Sequence, residues 1–231
     1  MQTTKVVSLG GSLVAPDDIA IDYLRQFSRI VNDYLNKESD RRLIIVVGGG
    51  QLARRYQEAY RSLADGGKDD TADWIGIAAT RVNAQLVKSL FEDRCVEDVV
   101  TNPTSVETFE GSVLVASGWK PGFSTDYDAV LLAEHFRAQV LVNLTDVAKV
   151  YSGDPRVDKS AKPLDSVSWG EFRGIIGSEW TPGKNSPFDP IAARKAHEMH
   201  LAVISAQGSD IENLRHILDE KDFTGTTIGP D

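Results

Sequence analysis

Two stretches carry the residues best suited to grip a multiply charged anion: SLGGSL at 8–13 and VVGGGQLARRY at 46–56. Each places glycines directly after a β-branched apolar run and ahead of a helix-like pattern. Without a Cβ, glycine lets backbone N–H groups approach an anion closely, and N–H groups that open a helix carry partial positive charge. Two such turns at one edge of a sheet suit a ligand with several phosphates. Arg54, one helical turn beyond Gly50, adds a guanidinium fork that matches phosphate oxygens.

GGGQLA (48–53) also satisfies G-x-G-x-x-A, so a dinucleotide-binding turn has to be tested. That turn needs an acidic residue about 20 positions on, at the end of the next strand. Here the acids of DGGKDDTADWIGIAATR (65–81) fall in a loop and a helix start, which argues against it. No Walker A sequence is present: GSEWTPGKN (177–185) has one residue too many between its glycines and ends on Asn185 where a metal-binding hydroxyl belongs. The H-R-D and D-F-G signatures of protein kinases are also missing. HEMH (197–200) is not H-E-x-x-H, and no third metal ligand stands out. Phosphoryl transfer fits such an inventory, because it needs positioning and charge stabilisation more than a nucleophilic side chain.

The elements that must hold these turns read as alternating strands and helices. Residues 5–10, 42–48, 111–117, 138–145 and 201–206 are short and almost continuously apolar, the pattern of strands covered on both faces. Periodic segments at 17–37, 51–64, 70–92, 126–136, 189–199 and 210–220 read as helices, several opened by Asp or Ser. The βαβα order predicts a three-layer α/β/α sandwich around a mainly parallel sheet. Residues 146–188 are richer in turns, so one domain over 1–231 is expected, with an N-terminal lobe to about 140 and a smaller C-terminal lobe over about 141–231. Asp126, after FST, reads as a natural cap for the helix that follows.

The net charge of −9 comes without a basic stripe, which excludes broad attraction to nucleic acid or an anionic membrane. No apolar run reaches the roughly 18 residues of a membrane span, and MQTTKVVSLGG enters a strand pattern without a secretory signal, so a cytoplasmic protein is expected. The single cysteine, Cys95, rules out an internal disulfide and reads as a small buried hydrophobe.

Four further stretches sharpen the picture: ADWIGIAATRVNAQL (72–86), GWKPGFSTDYDAVLLAEHF (118–136), NLTDVAKVYSGDPRVDKSAK (143–162) and GTTIGP (225–230). Together with the glycine turns, in this order, they resemble the amino-acid kinase family, and within it the archaeal-type UMP kinases. The resemblance implies the same sandwich, known as the carbamate kinase-like fold, with the phosphoryl acceptor in the N-terminal lobe and ATP in the C-terminal lobe. It implies that Gly10 and Gly11 lie beside the transferred phosphate and that Gly49 contacts UMP, with Gly50 and Arg54 on the ATP phosphates. Asp73 matches the acid on the UMP ribose, and Trp119, Lys120, Pro121, Gly122, Phe123, Ser124 and Thr125 match the loop around the nucleoside monophosphate. Thr145, Asp146, Tyr151 and Asp154 match the ATP-binding run usually written T-N-V-D-G-V-Y-x-x-D-P. Mg²⁺ with ATP, no protein-held metal and a homohexamer built from dimers belong to the same expectation.

Departures accompany the matches. The family's NVDG is DVAK here, so Asp146 replaces an amide, Ala148 removes a carboxylate and Lys149 replaces a glycine. A lysine often precedes the first L-G-G; this chain has Ser8, Lys5 sits too far down the strand to reach, and Lys184 is the replacement candidate. Two alternatives stay open at this point: a kinase of the same fold acting on a carboxylate, carbamate or isoprenoid phosphate, and a non-catalytic nucleotide sensor or oxyanion-storage protein.

Overall fold

The computed structural model describes residues 3–154, 157–177 and 187–230. Five of its strands fall where continuous apolar runs predict them: β1 (Thr3–Leu9), β2 (Arg41–Val47), β3 (Val113–Ala116), β4 (Leu141–Thr145) and β6 (Val203–Gln207). Two short strands, β5 (Ser166–Val167) and β7 (Thr226–Ile228), complete a seven-stranded sheet in the order β3-β2-β1-β4-β6-β7-β5. Every pairing is parallel except β6 with β7. The β1–β4 pairing carries the sheet across residue 140 without a break.

The continuous runs resolve into two alternating faces. Val7, Leu9, Leu43, Ile45 and Val47 pack with α2 (Ile21–Lys37) and α8 (Ile211–Leu218), while Val6, Ile44, Val46, Leu114 and Ala116 pack with α5 (Thr125–His135), α6 (Trp169–Ile176) and α7 (Pro190–Glu198). Each such aliphatic side chain contributes about 1.5–3 kcal/mol over an exposed one, so both faces must be covered for the strands to persist. Cys95 joins the first face, 4% exposed. None of the helices among the described residues is long and apolar enough to cross a membrane.

The helix starts that bear on the site differ in one respect. Ser124 caps α5 by accepting from Tyr127 N–H, and Asp189 caps α7 by accepting from Ile191 and Ala192 N–H ahead of Pro190. By contrast, the single turn α1 (Gly11–Val14) and α3 (Gly50–Leu63) begin on Gly10 and Gly49, which offer no side-chain acceptor. Their first-turn N–H groups therefore stay available to a ligand. The last long helix, α4 (Asp69–Ser89), packs against α3 and under the glycine turns.

Candidate functional site

Both glycine turns leave the carboxyl ends of neighbouring strands, since Leu9 of β1 pairs with Val47 of β2. They interlock. A Cβ on Gly11 would lie 2.3 Å from both Gly48 O and Gly50 N, and one on Gly50 would lie 2.2 Å from the carbonyl carbon of Gly11. Gly50 adopts φ +59°, a left-handed conformation that favours glycine. Arg54 ties the turns together through its side chain, donating from Nη2 to Ser12 Oγ at 3.0 Å and from Nε to Gln51 Oε1 at 2.9 Å. Its guanidinium is exposed at this edge and makes no ion pair among the described residues.

Two buried polar residues of α4 hold this edge from below. Asn83, 2% exposed, donates to Gly48 O at 2.9 Å, and Thr80, 6% exposed, accepts from Gly118 N–H at 2.9 Å. Sequence reasoning missed both. The available signal was two polar residues three apart on the apolar face of AATRVNAQL.

The segment after β3 wraps back towards α4 and α5. Trp119 N–H donates to Asp128 Oδ2 at 3.1 Å, and Gly122 N–H, at φ +82°, donates to Asp73 Oδ2 at 3.0 Å. Trp119, Phe123 and Tyr127 form a ladder of rings with centroid spacings of 5.5 and 4.7 Å. The Lys120 ammonium sits 3.8 Å from the Trp119 ring centre. The structure thus joins Asp73 to the 119–125 loop, and Thr80 and Asn83 join that loop and the glycine turns to one helix.

Asp126 does not cap α5; Ser124 does, because a cap must precede the helix and Asp126 lies inside its first turn. Its Oδ1 accepts from Ser8 Oγ at 3.1 Å and its Oδ2 from Asp189 N–H at 3.2 Å, joining β1, α5 and α7 beside the first glycine turn. Burial, then the charge of Asp189, pushes its pKa up to about 6, against the pull of the Ser8 hydroxyl and the Asp189 N–H. Asp128, fully buried two residues on, is pushed up to about 7 by burial, with Trp119 N–H opposing and the charge of Asp126 adding to the rise.

A carboxyl raised in the folded state favours folding while protonated. Its contribution is fully present below the unfolded value near 3.9 and is lost as pH rises through the folded value. For Asp128 that window runs from an ordinary 3.8 to about 7. The full displacement corresponds to roughly 4 kcal/mol at most. Asp128→Asn is therefore expected to stabilise the fold by about 2 kcal/mol near pH 8, part of the gain being offset by a weaker hydrogen bond to Trp119, and to change it little near pH 4. Urea unfolding at the two pH values measures this; an equal change at both refutes the burial cost.

The remaining candidates divide. Thr145 and Asp146 end β4 at the same sheet edge, where Leu144 pairs with Leu9, and Thr145 Oγ1 donates to Asp146 at 3.2 Å. Tyr151 and Asp154 lie in the following segment, which folds back as Tyr151 bridges Pro163 and Val150 N–H reaches Thr226 Oγ1. Lys149 forms an ion pair with Asp165, so the residue replacing the family glycine turns its ammonium to a carboxylate ahead of β5. Lys184 lies outside the described residues. Lys5, buried, donates from its Nζ to Leu218 O at the end of α8 and to Glu220 just past it, both at 2.9 Å.

The model of the amino acid kinase family matches residues 3–205. A uridylate kinase of Hyperthermus butylicus is 34% identical over 215 residues, covering 92% of this chain and 92% of its own length. A uridylate kinase of Thermoplasma volcanium is 35% identical over 237 residues, covering 99% of this chain and 98% of its own. Among solved structures, the crystal structure of uridylate kinase from Archaeoglobus fulgidus superposes with a TM-score of 0.82 at 32% identity, covering 99% of this chain and 100% of that one.

Proposed function

The chain belongs to the amino acid kinase family, and from that premise we propose that it transfers the terminal phosphoryl group of ATP to UMP, releasing ADP and UDP. The observation that carries this reading is the interlocked pair of glycine turns spanned by Arg54, next to a pinned aromatic loop. Uncapped N–H groups at Gly50 and its neighbours, with the Arg54 fork, supply donors where two anions must meet.

Within this reading the acceptor binds residues 1–140: Gly49, Asp73 and the loop Trp119–Thr125. Asp73 holds Gly122 with one oxygen and keeps the other for a sugar hydroxyl. Ser124 accepts from Tyr127 N–H, which leaves its own proton to donate to a phosphate. ATP binds against residues 141–231, with Thr145, Asp146, Tyr151 and Asp154 on the nucleoside, while Gly10, Gly11, Gly50 and Arg54 hold the phosphates between the two substrates.

Mg²⁺ fits this donor set. Among the described residues no group of three ligating side chains could cage a metal, yet a hard cation bound mainly through substrate phosphates and water needs only one or two carboxylates, and Asp126 lies at this edge. Bound there, it would supply positive charge to offset that of the phosphates.

A homo-oligomer belongs to the same reading. Helix α3 buries none of its residues, and its Tyr56 and Leu63, 63% and 88% exposed, present apolar surface, as do Trp74 and Val82 of α4. Large exposed apolar groups on paired helices suit a contact between subunits.

The test is an ADP-release assay with UMP, CMP, acetylglutamate and isopentenyl phosphate, on material whose subunit number is read by sedimentation. UMP is expected to exceed CMP in kcat/KM by at least about tenfold, with the other acceptors lower still. Turnover of a non-nucleotide alone would sink the UMP assignment, and ATP binding without turnover of any acceptor would sink catalysis.

A further inference from the structure

Asp128 is a second carboxylate at the start of α5 that the reading above leaves without a task. It is fully buried, its Oδ2 accepts from Trp119 N–H at 3.1 Å, and its Oδ1 has no hydrogen-bond partner among the described residues. A buried carboxylate with an unpaired oxygen is costly, and an apolar residue of similar size serves stability better. The one bond it makes leads into the acceptor loop.

Among the described residues, three side chains hold that loop and the residue before it: Thr80 on Gly118, Asp128 on Trp119 and Asp73 on Gly122. Asp73 is only partly buried and is itself assigned to the substrate, so its hold can be exchanged when the acceptor enters. Thr80 grips the residue before the aromatic ladder begins. Asp128 grips the amide of Trp119, the ring at the β3 end of that ladder, and does so from a place where solvent cannot compete. The direction in which Trp119 and the Lys120 ammonium leave β3 follows from that amide.

We propose that Asp128 is a positioning residue for the acceptor: by holding the Trp119 amide from α5, it fixes the Trp119–Lys120 end of the loop that receives the nucleoside monophosphate. This rests on the kinase reading above. A carboxylate that served only the positive end of α5 would affect folding and not the acceptor.

Asp128→Ala is expected to raise KM for the acceptor roughly 10- to 100-fold, the range of a lost hydrogen bond to a charged group, with kcat and KM for ATP within about twofold. Asp128→Asn, which keeps an oxygen for Trp119 N–H, is expected to stay within about threefold of the parent in acceptor KM. Should the alanine variant not fold, Asp128→Thr, of nearly equal volume but with its oxygen drawn back, is read in its place and should behave as alanine. An acceptor KM within about twofold of the parent in Asp128→Ala, or an equal loss for ATP, overturns the proposal. If the parent enzyme phosphorylates an acceptor other than UMP, the UMP assignment fails separately and the same KM comparison is made with that acceptor.

Discussion

Arg54→Ala is expected to lower kcat/KM for phosphoryl transfer by roughly 100- to 1,000-fold, the range seen when one preorganised donor to a developing charge is removed. Arg54 is exposed, and its two hydrogen bonds run to Ser12 and Gln51 at the surface. Substitutions at such positions usually change stability within about 0.5 kcal/mol, so the melting temperature should barely move. The guanidinium bridges α3 and the first glycine turn, which puts it where the phosphates of both substrates would converge. Arg54→Lys retains the charge without the planar fork and should recover only part of the loss. Steady-state kinetics with both substrates varied, alongside thermal unfolding, decides the matter. Kinetics within about threefold of the parent would remove Arg54 from the phosphate site.

Gly11→Ala should damage both fold and activity, for a reason that lies in the backbone of a second turn. The added methyl would lie 2.3 Å from Gly48 O and 2.3 Å from Gly50 N, and neither atom can swing aside as a side-chain tip can. The turns must separate, at a cost of about 3 kcal/mol or more, the upper part of the range for overpacking a close-fitted site. A displacement of about 1 Å between groups that position a reaction can cost about 100-fold, so kcat should fall at least that far. Gly174→Ala is the control. A Cβ there meets nothing within 4 Å, on an exposed turn of α6, and helix propensity favours alanine by roughly 0.5–1 kcal/mol. It should stabilise slightly with activity unchanged. If Gly11→Ala folds and turns over like the parent, the interlock does not position the phosphates.

Much of the architecture was legible because it rests on local rules. Runs such as LIIVV contain few polar residues to spare for a wet face, which predicts strands covered on both sides and hence a parallel sheet. What escaped was short or conditional. Strand β7 has three residues, Thr226–Ile228, too few for a period to show, and it runs antiparallel to β6. Helix α1 is one turn, and α2 starts at Ile21 rather than near 17, after exposed bends at residues 16–18. Helix α6 did carry a signal: Ser168 and Glu171 form a capping box, spaced as such boxes must be.

For the site, the sequence by itself determined which residue types could meet phosphate: glycines after apolar strands, and an arginine one turn beyond them. These follow from the conformational freedom of glycine and the donor geometry of guanidinium, properties a residue brings with it. The tertiary structure alone decided that Gly11 and Gly50 face each other at backbone contact, that Lys5 points to Leu218 and Glu220, and that packing raises the pKa values of Asp126 and Asp128. Burial and the approach of distant backbone are sums over neighbours supplied by other elements. Two aspartates in STDYD look alike along the chain, and only the packing of β1, α7 and the Trp119 loop around them assigns one to Ser8 and Asp189 and the other to the Trp119 amide.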